Sequence, residues 1–326
     1  MKISLLNNNL SSKHNYKSKK LLNSSISFVS NENEPRFMPP KIEALRALYA
    51  TNIIQKINSK KAMDKYVPGY HIQKEHLRKN IVEPLMEPKI ATTKKVPPVI
   101  CLYGPDVSLK TDLLKGMAKE ANCKVSMIEA DTDTFGEDLR DVISKAGDDF
   151  DATGKKTILI IRKPEKALSA SFENRHNVDD LLFAVENQYF YKYGGENIIF
   201  ALATEDISLI SANIEKQVEM YVPVPVVDNK NLIDIISELL AKQNSEYADI
   251  ALDDKEIGEI ALILMPNSDG AYNLNQIKQI VTRSYKNSVE TSTKISDNVL
   301  KIANATQRYI SKAQIDAYEK KVSATF

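Results

Sequence analysis

Apolar positions are spaced in two ways along this chain. Short runs at Val99–Tyr103, Lys124–Ile128, Ile158–Ile161, Ile198–Ala203 and Tyr221–Val227 alternate with segments whose apolar residues recur every three or four positions. A short continuous apolar run bounded by turn residues reads as a strand covered on both faces, and a three-to-four spacing reads as a helix with one buried face. The helical segments carry Leu113, Leu114, Met117 and Ala118, then Leu139, Val142, Ile143 and Ala146, then Val178, Leu181, Leu182, Val185 and Phe190, with a short turn over Ile207–Ile214. Pro223 and Pro225 interrupt the fifth strand. Strands separated by helices predict a parallel sheet with helices on both faces.

From Asn231 onward the texture is helical only, over Leu232–Leu240, Lys255–Leu264 and Asn273–Tyr285. After a Ser/Thr-rich stretch from Val289 to Lys294, the residues Ile295, Val299, Ile302, Tyr309 and Ala313 predict one last long helix. Upstream of the sheet, Pro39-Pro40 introduces a helix with Ile42, Leu45, Tyr49, Ile53 and Ile57 that Lys60-Lys61 closes. Val67–Tyr70 forms a turn before a further helix carrying Leu77, Ile81, Val82 and Leu85. The first 36 or so residues are Asn, Ser and Lys with few apolar side chains, too little to offset the entropy of ordering, and read as a disordered tail in which Ile26–Val29 is a short docking candidate. The organisation that follows is a tail at 1–38, a helix at 39–65, an α/β core at 66–228, a helical unit at 229–290 and a C-terminal helix at 291–326.

Composition narrows the function classes. The 326 residues are 43% hydrophobic, enough for a sizeable core. With 44 basic against 43 acidic residues the net charge is +1, so no nucleic acid partner is implied. Cys101 and Cys123 read as buried thiols, and His14, His71, His76 and His176 are scattered with no zinc-site spacing. Asp148, Asp149 and Asp151 read as a solvated loop. No apolar run approaches the roughly 18 residues that span a bilayer, so no membrane is implied and a cytoplasmic location is expected.

The chemistry-bearing stretch is Val99–Thr111. It reads strand, then a break at Gly104-Pro105, then a helix opened by Lys110-Thr111. A phosphate-binding loop is written G-x-x-x-x-G-K-[ST]: backbone N–H groups and the helix N-terminus hold phosphates, the Lys reaches the terminal ones and the hydroxyl holds Mg²⁺. Gly104, Lys110 and Thr111 fall on those places, while Leu109 stands at the second glycine. The candidate nucleotide-binding residues are therefore Gly104, Pro105, Asp106, Val107, Ser108, Leu109, Lys110 and Thr111, with Thr111 as the Mg²⁺ contact; the plainer alternative is that Lys110 and Thr111 merely open a surface helix.

Taken in order, these features resemble the AAA ATPases, a branch of the P-loop NTPases, over roughly residues 66 to 287. Lys74–Leu85 looks like the helix before the phosphate loop, Leu102-Tyr103-Gly104-Pro105 like the entry to it, and Met117–Asn122 like the helix after it. Phe135-Gly136-Glu137 falls at the pore-loop segment, Ile198–Glu205 at the sensor strand, and Gly270-Ala271 at the start of the lid. The resemblance implies a P-loop NTPase-like parallel sheet flanked by helices, followed by a small all-helical lid, with ATP or ADP and Mg²⁺ as cofactors. It also implies a protein partner or a homo- or hetero-oligomeric ring.

The departures from that pattern concern catalysis. Where the family ends its third strand in Asp-Glu, this chain has Arg162-Lys163. Two unit charges about 4 Å apart interact by roughly 4 kcal/mol at an effective dielectric of about 20, so Arg for Asp reverses the sign towards Mg²⁺. Glu205 replaces the sensor Asn, and the arginine-finger region Asn213–Val218 offers only Lys216. Arg162 and Lys163 read as a solvated basic strand end or, more sharply, Arg162 reads as a direct phosphate contact that makes Mg²⁺ unnecessary. Acidic flanks at Asp131, Asp133 and Glu137 favour packing over substrate grip for Phe135. The expectation is a hydrolysis-deficient module that binds ATP or ADP and acts as a nucleotide-responsive regulatory or scaffold subunit. The alternatives are an active ATPase remodelling a protein substrate, with Glu165 or Glu205 recruited, and a scaffold without nucleotide in which Leu109 fills the phosphate pocket.

Overall fold

The computed structural model describes residues 62–87, 95–130, 133–186, 197–246 and 253–325. The expected tail, the Ile26–Val29 motif, the helix over Ile42–Ile57 and Phe190 lie outside the described residues.

Five parallel strands form one sheet in the order β2-β3-β4-β1-β5: β1 (Val99–Tyr103), β2 (Lys124–Glu129), β3 (Thr157–Arg162), β4 (Ile198–Thr204) and β5 (Met220–Pro223). The register pairs Val99 with Phe200, Ile100 with Met220, Lys124 with Thr157 and Thr157 with Ile198. The three central strands are the continuous apolar runs, because each is covered on both sides. Alternate residues divide between the faces. Ile100, Leu102, Ile158, Ile160, Ala201 and Ala203 face Leu113, Leu114 and Met117 of α3 (Val107–Glu120). Val99, Cys101, Leu159, Ile161, Phe200 and Leu202 face α4 (Phe135–Thr153) and α6 (Arg175–Glu186). Each fully buried Leu or Ile contributes about 1.5–3 kcal/mol, so these layers set the strand order.

Ahead of the sheet, α1 (Ala62–Tyr66) and α2 (His71–Leu77) lead into a π-helical turn at Arg78–Val82 and a last turn at Glu83–Met86. Charges tie this segment to α3. Buried Lys74 donates to Asp64 (2.5 Å) and to the Val67 carbonyl (3.0 Å), and Arg78 donates to Asp64 (3.0 Å) and to Glu120 (2.9 Å). Burial raises the Asp64 pKa, but the hydrogen bond from Lys74 and the charges of Lys74 and Arg78 outweigh it and hold the carboxyl below its ordinary range.

Asp148, Asp149 and Asp151 do not form a loop: they lie on the last turns of α4, which Gly154 ends in the left-handed region, and Asp149 pairs with Lys124. Lys163 also turns left-handed (φ 47°) and starts the short α5 (Pro164–Ala167). A turn at Ile207–Leu209 and α7 (Ala212–Glu215) lead into β5.

The helical unit comprises α8 (Asn229–Glu246), α9 (Asp254–Leu264), α10 (Leu274–Thr291) and α11 (Ile295–Asn304). Its buried residues, among them Leu232, Ile236, Ile260, Ile277, Val281 and Val299, belong to the same apolar cluster as the α3 face of the sheet. The predicted single last helix is instead two, α11 and α12 (Lys312–Thr325). Tertiary pairing overrides the helical spacing there. Ala271 and Ile310 exchange backbone hydrogen bonds (2.8 and 3.0 Å), which extended backbone alone can offer. Arg308 adds bonds to the Met265 and Gly270 carbonyls while lying 4.2 Å over the Tyr272 ring. Gly270 is required at this junction: its φ is +121° and a Cβ would sit 2.0 Å from the Ile310 oxygen.

Candidate functional site

β1 and β4 are neighbours, yet the chain leaves them for opposite edges of the sheet, β2 on one side and β5 on the other. Ligands of open α/β sheets bind outside the carboxyl ends of the strands at such a switch point. The residues there are Gly104–Thr111 after β1 and Glu205-Asp206 after β4.

Gly104 extends the ladder by donating to the Thr204 carbonyl (3.2 Å). Its φ is +149°, and a Cβ would sit 2.0 Å from the Val224 oxygen, so no other residue fits without moving β5's continuation. Pro105 and Asp106 follow, and α3 begins at Val107. The sequence pattern placed that start at Lys110. Asp106 is the reason for the difference: it is an N-cap whose side chain accepts from the Leu109 N–H (3.1 Å) and thereby fixes the helix three residues earlier.

The Asp106 carboxylate, 2% exposed, is engaged on both oxygens. One accepts from Leu109 N–H and Ser108 Oγ (2.6 Å), and the other accepts from the Leu274 N–H at the start of α10 (2.7 Å). A single carboxylate thus caps one helix of the sheet layer and one helix of the helical unit. Lys278 makes a second connection, donating to Asp112 (2.8 Å) and to the Tyr66 carbonyl (3.2 Å).

Lys110 is fully buried and its ammonium donates to the Gly104 carbonyl. Burial pushes its pKa down from 10.5 to about 8, against the opposing pull of Asp106, Glu205 and Glu165. Thr111 Oγ1 donates to the Val107 carbonyl (2.8 Å). Val107 and Leu109 are buried, Leu109 within the apolar cluster, so it is Asp106 and not Leu109 that occupies the helix terminus.

At the end of β3, Arg162 and Lys163 are directed to Glu129 of β2 (2.8 and 3.3 Å). The structure does not bring them to the Gly104–Thr111 loop. Glu165 is brought there instead: the turn through Pro164 carries it round to accept from Thr204 Oγ1 (2.7 Å). Glu205 accepts from Gln314 Nε2 (2.9 Å), and Asp206 pairs with Lys321, both partners lying on α12. Burial raises the Asp206 pKa, but the bonds from Lys321 and Ser208 win and hold it low. Tyr318 of α12 stands against Tyr103, ring centroids 6.1 Å apart. A cleft of about 260 Å³ remains, walled by Tyr103, Glu165, Glu205, Asp206, Tyr318 and Lys321.

As arranged, these residues do not fit a nucleotide phosphate with Mg²⁺. The helix terminus holds a carboxylate, the Lys110 ammonium and the Thr111 hydroxyl are turned onto backbone carbonyls, and the cleft wall carries three carboxylates against one ammonium. Among the described residues no group of three His, Cys, Asp or Glu side chains is placed to hold a metal ion, and no helix is long and apolar enough to cross a membrane. Both cysteines are free thiols, and burial pushes the Cys123 thiol up to about 11. Phe135 is fully buried at the start of α4, and Lys216 is exposed after α7.

Sequence reasoning missed Leu274, Gln314, Tyr318 and Lys321, which reach the site from far along the chain and carry no local signature. Asp106 was within the candidate loop, but its capping role was missed; the usable signal was an N-cap residue directly before a helical spacing.

No protein-family model and no curated protein matches this sequence. Solved structures are similar to it. One, described as an E. coli MS115-1 HORMA:CdnC:Trip13 complex, matches with 11% identity and a TM-score of 0.56, covering 77% of this chain and 93% of that one. Another, the FIGL-1 AAA domain in complex with ADP, matches with 16% identity and a TM-score of 0.55, covering 78% of this chain and 87% of that one. The chain has an AAA ATPase-like fold: an α/β core with a helical lid.

Proposed function

We propose that this chain is a hydrolysis-deficient AAA-type module that works as a regulatory or scaffold subunit, engaging a protein partner through its surfaces. The observation that carries the reading is the end of β3, where the basic pair Arg162-Lys163 meets only the single carboxylate of Glu129 and so stays net cationic. Phosphoryl transfer depends on charge placed around Mg²⁺ and the attacking water, and a cationic strand end supplies the opposite sign. The HORMA:CdnC:Trip13 structure, a complex of several proteins, supports the assignment of a protein partner. The test is phosphate release from Mg²⁺-ATP by the purified chain. Release at the buffer rate is expected; Mg²⁺-dependent turnover that Lys110→Ala abolishes would overturn the reading.

A finer part of this proposal is that ATP or ADP docks on Gly104–Thr111 once the loop opens, making the subunit nucleotide-responsive. Lys110 and Thr111 on the first turns of α3, and the ADP held by the similar FIGL-1 domain, favour it. The competing active ATPase is favoured by one contact, Glu165 on Thr204 Oγ1, which brings a carboxylate from just beyond the end of β3, where Arg162-Lys163 supply none, into the crevice. Glu165→Gln separates the two: it leaves ADP binding intact in the first and removes turnover in the second.

A further inference from the structure

We propose that Asp106 is a built-in anion standing in for a nucleotide phosphate, which holds the α/β core and the helical lid together in the absence of ligand. The inference rests on Gly104–Thr111 being the nucleotide segment and deepens that reading by naming what controls access to it.

Two long helices, α3 and α10, aim N-terminal N–H groups at one carboxylate, through Leu109 (3.1 Å) and Leu274 (2.7 Å). Helix N-termini attract anions, through the macrodipole and through N–H groups that have no partner within the helix. Ser108 Oγ supplies a third donor at 2.6 Å. A carboxylate buried to this depth is tolerated because its oxygens are so fully engaged. The same groups are what a phosphate oxygen would use, and the lid donor is among them. A phosphate arriving beside Asp106 would meet a like charge at close range, so it binds only by displacing the carboxylate and, with it, the bond to Leu274. Phosphate entry and loss of the Asp106 link between core and lid are therefore one event, while Lys278 and the shared apolar cluster still join the two units. Lys110 remains in place to receive the incoming charge, held meanwhile on the Gly104 carbonyl.

The ligand class is a nucleoside di- or triphosphate or its diphosphate fragment, and the residue that limits its affinity is Asp106. The experiment is calorimetric titration of ADP and of inorganic pyrophosphate, without Mg²⁺, into the full chain and into Asp106→Asn, which keeps an N-cap acceptor but removes the charge. Asp106→Ser carries the same expectation with a smaller side chain, should the amide variant fail to fold by circular dichroism. The uncharged variants are expected to bind ADP tighter than wild type by about tenfold or more, and ADP is expected to raise their melting temperature more than that of wild type. Binding no tighter in the variants, whether because all forms bind equally or because none binds, overturns the inference. That failure is distinct from failure of the proposed function, which would show as ATP turnover by the wild-type chain.

Discussion

Two sets of charges lie at the carboxyl ends of the same sheet, and they behave as opposites. At the end of β3, Arg162 and Lys163 face Glu129 with each side chain about a third exposed. At the end of β1, Asp106 and Lys110 are buried and bonded to backbone. Exposed ion pairs are screened and contribute little, whereas a buried charge is stable only if every partner is in place. The β3 end departs from the AAA ATPase pattern at little structural cost, and in the proposed reading its sequence bears on catalysis rather than on the fold. The β1 end determines where α3 begins and where the lid attaches, so its sequence reports on architecture.

Substitutions can break that contrast. The largest effect is expected for Gly104→Ala, which puts a methyl into the Val224 carbonyl at a φ of +149°. Strain and overpacking together should cost about 4 kcal/mol, read as a lowered urea midpoint. Asp106→Ala should cost about 2–3 kcal/mol, because it removes the cap of α3 and leaves the buried Leu109 and Leu274 N–H groups without their acceptor. A loss under about 0.5 kcal/mol would place Asp106 with the surface charges.

Lys110 gives the contrast a pH signature. With its pKa near 8 in the folded chain against an ordinary 10.5, both states are protonated below that window. Within it, the folded chain gives up the proton first, so the unfolded state binds more protons and stability rises with pH, by at most about 1.4 kcal/mol per unit. Burial also holds the Cys101, Cys123 and Tyr70 pKa values high and produces the opposite trend, from about pH 9 for the thiols and about pH 10 for the phenol, so the signature of Lys110 is the difference between wild type and a variant that keeps those groups. Urea midpoints should rise from about pH 7.5 to about 9.5 in wild type relative to Lys110→Met, and parallel midpoints would contradict the burial of this amine. The smallest effect is expected for Arg162→Ala, within about 1 kcal/mol of wild type by the same measurement.

These contrasts also mark what the sequence could convey. Val99–Tyr103, Ile158–Ile161 and Ile198–Ala203 were legible as strands, though not their order in the sheet, because burial on both faces leaves an unbroken apolar run. The α9 and α10 helices were equally legible from their spacing. The site was legible in part. Gly104, Lys110 and Thr111 stand on a recognisable pattern, but measuring the stretch against a phosphate loop hid the competing N-cap signal of Asp106. The bond from Leu274 to Asp106 spans 168 residues, and no local spacing reports such a contact. The division of the C-terminal segment was hidden for a related reason: Ile310 pairs with Ala271, and that distant backbone partner outcompetes the helix its neighbours favour. Glu165 was a candidate for a recruited carboxylate, and the left-handed turn at Lys163 that carries it to Thr204 has no signature in the residues around Pro164.

The measurement closest to the central claim is amide hydrogen exchange in the nucleotide-free chain at Leu109 and Leu274. Both lie in the first turn of a helix, where N–H groups have no partner within the helix and ordinarily exchange fast. If Asp106 closes the core on the lid, both amides exchange as slowly as the interiors of α3 and α10. Exchange at Leu274 as fast as at a free helix end would show that the carboxylate does not hold the two together.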